Sequence, residues 1–335
     1  MCTSFRLLTQ DGGAIVSRTM EFPSLMDAKI TAIPRGHKSM GIAPDDKAGK
    51  TWSATYGFVG IDAFGQADWL TDGMNEKGVY AGLLYMPGFC DYTPADGKAD
   101  EEMIAIVNTV AYVLGTCASV AEAKTAMQQV TVWPMVVPSM GFAPPAHLVI
   151  HDATGASIVV EWCDGEMVVF DNPIGVATNS PHLDWHLTNL RNYATLSPFN
   201  PQPITINGVT IAAIGQGQGM MGLPADSSPP SRFVRAAAYV ATHAAIPDTK
   251  AGEMAALHIM NNFDIPLGLV RDGKAGEIQD QTLWTTIANL TDLRYIIRGI
   301  DDPHPVAIDL ATTKLDSGDP RQIDIPSGTF ATLTI

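Results

Sequence analysis

Short apolar runs punctuated by glycine and aspartate set the pattern of this chain. The first run, CTSFRLL, is followed by Asp11, Gly12 and Gly13 and then by AIVSR. That pattern predicts two strands joined by a tight hairpin, with Cys2 at a strand end. Further strand-like runs are SATYGFVG, GVYAGLLY, HLVIHD, ASIVVEW, MVVF and VAT, and later LWTTIANL, YIIRG and PVAIDL. They are rich in β-branched and aromatic residues and are separated by turn residues, which predicts antiparallel sheets rather than βαβ crossovers.

Helical spacing appears between the strand groups. One helix is predicted over about 101–114, and a second opens with Ser119 and Glu122 as a capping box. A third begins after Pro181 with Leu183, Leu187 and Leu190 at helical spacing, and a fourth opens with Ser228 before Pro229. A fifth covers 251–261. Two strand groups, separated and followed by pairs of apolar-faced helices, bury every apolar face if two sheets stack with the helices outside. The expectation is an α+β fold, a four-layer αββα sandwich. No linker, charge run or repeat divides the chain, so 1–335 reads as a single domain.

Composition narrows the partners. Apolar residues make up 46% and charged residues 16%, enough for a large core without staples. The net charge of −15 opposes binding to nucleic acid and to anionic membranes, which need a cationic face. A small-molecule ligand is the remaining expectation. Cys2, Cys90, Cys117 and Cys163 are widely spaced with no CxxC pair, which argues against a disulfide framework or structural zinc. No run approaches the roughly 18 apolar residues that span a bilayer. With no signal region at this N-terminus the reading is cytoplasmic, or periplasmic if a signal peptide preceded Cys2 and was cut away.

The chemistry centres on Cys2. Removing Met1 leaves one residue carrying both a thiol and a free α-amine, whose pKa of about 7.7–8.0 suits a general base. An incidental cysteine on a first strand is the commoner circumstance, so the surrounding residues must argue the case. Arg18 ends the partner strand and would favour a thiolate across the hairpin. Glu21, three residues on, would hold an arginine and an α-ammonium, or form an ordinary surface ion pair. Asn179 in ATNSP stands between a short strand and a Pro-started helix, suited to an oxyanion hole or simply to a turn. Arg232 would orient a substrate carboxylate or the nucleophile, or lie solvated on its helix.

The segments CTSF, SRTMEF, DGMNEKG followed by AGLLY, ATNSP and SRFVRA, in this order from position 2 to about 235, together resemble the choloylglycine hydrolase and penicillin V acylase family. AGLLY is more similar to its Gram-negative branch. The resemblance implies the N-terminal-nucleophile form of the αββα sandwich, a homotetramer, and no metal or cofactor. It implies Cys2 as nucleophile, Arg18 beside it, Asn179 in the oxyanion hole and Arg232 as second active-site arginine. The family's usual aspartate falls on Glu21, one methylene longer. Its second oxyanion position falls on Leu84, where only the backbone N–H is left to serve.

The implied reaction is hydrolysis of a non-peptide linear amide, such as a conjugated bile salt or penicillin V, through a Cys2 thioester. Phe22, Leu84, Tyr85, Met86, Met140 and Phe142 would line the acyl pocket. Alternatives are an acylase of N-acyl homoserine lactones, a silent binder of amphipathic acyl amides, suggested by Glu21 and Leu84, and an acyltransferase. His182 and His186 have metal-ligand spacing but lack the adjacent glutamate of a zinc protease, and read as a surface or capping pair. GQGQGMMG lacks the Gly-Lys-Ser/Thr of a phosphate loop and reads as a mobile loop near the pocket.

Overall fold

The predicted N-terminal hairpin forms in the computed structural model, which describes residues 1–330 and 332. Strand Cys2–Leu8 pairs antiparallel with Ala14–Phe22, with Cys2 opposite Met20 and Ser4 opposite Arg18. Outward from this hairpin, Val176–Ala177 pairs with the first strand, and Ile278–Asn289, Arg294–Gly299 and Val306–Asp309 follow the second. A second antiparallel sheet runs in the order Glu166–Asp171, Ser157–Cys163, Ala146–Asp152, Val79–Tyr85, Gln66–Asn75, Phe58–Ala63, Lys29–Ile33, Arg321–Asp324.

The period of two along the strands shows how the sheets stack. Val149 and Val159 pack into one core with Val16, Met20 and Trp284 of the first sheet. Their neighbours Leu148, Ile150, Ile158 and Val160 point the other way, into a second core with Val110, Val113 and Leu114. Helices Thr109–Thr116 and Val120–Met127 cover that outer face. Helices Pro229–Thr242 and Thr249–Met260 cover the first sheet, the former through Phe233, Ala236 and Ala237 at helical spacing. The order of layers is helix, sheet, sheet, helix. Among the described residues no helix is long and apolar enough to cross a membrane.

One predicted helix end, the capping box, forms as expected. Ser119 Oγ accepts the Glu122 N–H at 3.2 Å, while the Glu122 carboxylate reaches back to the Ala118 N–H at 2.8 Å. Helix Thr249–Met260 starts from Asp248, whose side chain accepts the Ala251 N–H. At Ser228 the side chain does not cap the helix; Asp226 gathers the Ser228 N–H and the Ser231 hydroxyl instead.

The helix expected over 101–114 is shorter. Met103–Ala105 is a strand, paired in parallel with Thr131–Trp133, and the α-helix begins only at Thr109. Met103–Val107 is buried on all sides, so its apolar run carries no helical stripe and the neighbouring strand decides its conformation. SATYGFVG contributes to two strands, Lys47–Ser53 and Phe58–Ala63, broken between them.

Candidate active site

Register alone brings the first residues together. Directly opposed residues on an antiparallel pair share a face, so Cys2 and Met20 do, and Arg18, two residues from Met20, lies diagonally across. Arg18 Nη2 is 3.3 Å from Cys2 Sγ. On the other side of the first strand, Ser4 opposes Ala177, and continuing that register places Asn179 opposite Cys2. The Cys2 N–H donates to Asn179 Oδ1 at 2.9 Å. Arg232, on helix Pro229–Thr242, donates to the same Oδ1 at 2.6 Å, to Thr3 Oγ1 at 2.8 Å and to the Cys2 carbonyl. It is fully buried and holds the Cys2 backbone, which excludes the solvated reading.

Arg18 is equally buried, and its carboxylate partner is Asp72 rather than Glu21. Nη1 lies 2.8 Å from Asp72 Oδ2, and both side chains are inaccessible to solvent. Asp72 also accepts the Thr286 hydroxyl at 3.1 Å and the Tyr295 hydroxyl. Burial works against the Arg18 charge, but the neighbouring Cys2 and Asp72 outweigh it, so its pKa is raised. The remaining N–H groups reach the carbonyls of Thr19, Thr71 and Leu83.

Asp72 opens the motif DGMNEKG, whose other residues are structural. Gly73 admits the close approach of helix Thr109–Thr116, since a Cβ there would lie 2.9 Å from Leu114 Cδ1 and 2.5 Å from the Val59 carbonyl. Asn75 ties that helix's end through the Leu114 and Cys117 carbonyls and closes the next turn through the Lys77 and Val79 N–H groups. Gly78 supplies the positive φ of that turn, +72°.

Glu21 is no surface ion pair. It is 1% exposed, and Oε1 accepts the Thr282 hydroxyl at 3.0 Å. Burial raises its pKa, opposed by the Met1 ammonium and by Arg232. The main chain of Glu21 exchanges hydrogen bonds with Met1, so this carboxylate sits where the chain enters the first strand.

An apolar cavity of about 100 Å³ is lined by Cys2, Phe22, Leu84, Tyr85 and Met140 among others. It opens into a wider one of about 680 Å³ that takes in Phe142, with Phe22, Met26, Phe64, Trp69 and Met140 shared between the two. Pairing between Gln66–Asn75 and Val79–Tyr85 stops at Asp72 and Gly82, and the space beyond that point holds the inner cavity. Met86, expected on the pocket, lines neither cavity. It follows the strand end, fully buried, with its N–H bonded to the Pro145 carbonyl at 2.7 Å.

Met86 also settles the Leu84 backbone. Its N–H faces Ala146–Asp152, so strand alternation turns the Leu84 N–H the same way, and the Leu83 carbonyl of that peptide faces Arg18. The expected second oxyanion donor is thus committed to the ladder. Residues 83 and 85 face the site instead, and the Tyr85 carbonyl accepts from Asn179 Nδ2.

The remaining sequence readings resolve as packing. His186 is buried, stacked on Phe233 at 4.5 Å, with Nε2 3.0 Å from the Asn179 carbonyl. It supports the turn that carries Asn179 and is neither a surface nor a capping residue. Residues 215–222 line neither cavity at Cys2, and the Gly219 carbonyl accepts from the Ser197 N–H. A larger depression of about 840 Å³ beside Trp284 and Arg298 contains none of the expected site residues. Asp72, Phe64 and Trp69 were not foreseen as site residues. Asp72 had a signal, its place in a motif already singled out, whereas the aromatic pair had none.

Residues 2–323 match the family described as linear amide C–N hydrolases, choloylglycine hydrolase family. The chain is 32% identical over 325 residues to the bile salt hydrolase/transferase of Clostridium perfringens, covering 95% of each. It is 27% identical to the penicillin V acylase of Pectobacterium atrosepticum, over 94% of this chain and 84% of that one. The crystal structure of the C2A mutant of conjugated bile acid hydrolase from Clostridium perfringens superposes with a TM-score of 0.87 at 30% identity, covering the whole of both chains. Similarity in sequence and in fold thus runs through nearly the whole chain, and this protein belongs to the choloylglycine hydrolase family of linear amide C–N hydrolases.

Proposed function

We propose that this protein hydrolyses an N-acyl amide with an apolar acyl group, such as a conjugated bile salt or penicillin V, through a thioester on Cys2. The observation that carries the reading is a thiol held 3.3 Å from a buried guanidinium in the wall of an apolar cavity. With Met1 attached, the Cys2 nitrogen is an amide and cannot act as base, so removal of Met1 is the activating step. The freed α-amine keeps Asn179 Oδ1 as a neighbour, and Glu21, already subject to the N-terminal charge, balances it. The amine takes the thiol proton, the thiolate attacks the acyl carbon, and the oxyanion meets Asn179 Nδ2 and the Tyr85 N–H on the same edge. The amine returns its proton to the leaving nitrogen, and water then hydrolyses the thioester.

The acyl group enters past Trp69 and Phe64 and ends against Leu84 and Leu70. Homotetramer formation is part of the same proposal. It is supported by the hairpin of Ile204–Ile206 and Val209–Ile211, whose apolar residues, with Phe199 and Ile214, are all exposed in one chain. Four free cysteines suit a reducing compartment, which favours the cytoplasm.

Intact mass, measured beside hydrolysis of glycocholate, penicillin V and a long-chain acyl homoserine lactone, tests the reading, with Cys2→Ala as control. Loss of Met1 and Cys2-dependent release from one of the first two is expected. A cleanly processed Cys2 that turns over none of the three would leave a silent binder and sink the proposal.

A further inference from the structure

Beside the turn that presents Asn179, three side chains converge that the hydrolysis does not use. Glu161 and Cys163 are two residues apart on strand Ser157–Cys163 and so share a face. His182 stands at the start of helix Leu183–Asn189. One ligand atom from each lies within 4.8 Å of the others. His182 Nδ1 is 2.8 Å from Glu161 Oε2 and 3.3 Å from Cys163 Sγ.

A tetrahedral zinc ion with bonds of about 2.0–2.3 Å holds its ligand atoms roughly 3.3–3.6 Å apart. The two separations from His182 Nδ1, 2.8 and 3.3 Å, lie within about half an ångström of that spacing, and the third ligand pair lies within 4.8 Å, so side-chain adjustment closes the cluster without a rebuilt backbone. Glu161 is wholly buried, while the His182 side chain is 26% exposed and Cys163 is half-buried, so an ion can arrive from solvent on a fixed carboxylate. Burial and the carboxylates of Glu161, Asp164 and Asp184 push the Cys163 thiol up to about 11. The same negative charges that oppose a bare thiolate attract a dication.

We propose that Glu161, Cys163 and His182 bind a divalent cation of the zinc class, with a fourth position open to water. Binding replaces the Cys163 thiol proton, which leaves to solvent, and uses the Nδ1 lone pair of a neutral His182 protonated at Nε2. Glu161 Oε2 becomes the third ligand, while Oε1 keeps the Leu183 N–H at 3.1 Å and His147 Nδ1 at 3.2 Å. His147 Nε2 in turn meets the Thr178 carbonyl at 3.0 Å, so the outer partners of the ion reach the residue next to Asn179.

Cobalt is the probe, because zinc is spectroscopically silent. The Cys2→Ala variant removes the competing thiol, and Co2+ is titrated while the near-ultraviolet thiolate-to-cobalt band is followed. One equivalent of Co2+ bound with release of one proton, and then displaced by Zn2+ without further proton release, is expected. Cys163→Ser should abolish the band, and His182→Gln should weaken binding by at least the roughly 10–100-fold that loss of outer partners causes. No band, or one that survives Cys163→Ser, overturns the proposal. Should Cys163→Ser fail to fold, a His182→Gln variant with unchanged affinity overturns it equally.

Discussion

Replacing Asp72 by Asn tests whether the Arg18 position depends on a buried charge pair. At the observed 2.8 Å, and at an effective dielectric constant near 20, the attraction is about 6 kcal/mol. Dehydrating each ion costs several kcal/mol, so the intact pair contributes little net stability. Removing one partner is different, because Arg18 stays fully buried without its counter-charge and the Tyr295 and Thr286 hydroxyls lose a charged acceptor. The expected loss is about 3–5 kcal/mol, read as a lower urea midpoint at unchanged slope. Removing both charges, in Arg18→Met with Asp72→Asn, leaves no isolated ion, so the double variant should be less destabilised than the two singles added together, by more than about 1 kcal/mol. Strict additivity, or an Asp72→Asn variant within about 0.5 kcal/mol of the parent, would refute the reasoning.

Acid sensitivity should come partly from two histidines. Burial lowers His151 to about 3, both its ring nitrogens lacking partners among the described residues, and lowers His186 to about 4. Above the ordinary value of about 6.5 both the folded and unfolded states are neutral; below it only the unfolded state takes up the protons. Stability should therefore fall as pH drops from about 6.5 toward 4, by about 1.4 kcal/mol per pH unit for each histidine, and His151→Gln should remove one such slope in unfolding curves at pH 7, 6 and 5. A slope unchanged in that variant contradicts the assignment. Leu84→Ala enlarges the cavity beside Cys2, should cost roughly 2–5 kcal/mol, and should raise kcat/KM for branched acyl groups relative to straight ones. Equal change for both would remove Leu84 from the acyl wall. Ile206→Lys with Val209→Glu should reduce the mass seen by light scattering while monomer stability holds; an unchanged mass would clear the hairpin of a role in assembly.

Much of the site was legible because it is local. The Asp-Gly-Gly turn sets the hairpin register, which puts Arg18 diagonally across from Cys2, and VAT followed by Asn179 extends the same sheet. The alternating runs were legible as strands of two antiparallel sheets for a related reason, since period two records which face each residue takes. The segment 103–107 failed that test because it is buried all round, and an unpatterned apolar run fits strand and helix equally. Arg232 could be named from its motif, but its burial against Cys2 depends on how a helix more than 200 residues away packs on the first strand.

By itself, then, the sequence determined the place of Cys2 at a strand end, Arg18 near it across the hairpin, and the αββα order of layers, all of which follow from periodicity and short turns. Only the tertiary structure decided that Asp72 rather than Glu21 pairs with Arg18, that Glu21 is buried, that Met86 leaves the pocket, and that Leu84 offers a side chain instead of an N–H. Those outcomes depend on distances between the two sheets and on where a pair of strands stops hydrogen-bonding. Both are set by the packing of the whole core, and no local pattern encodes them.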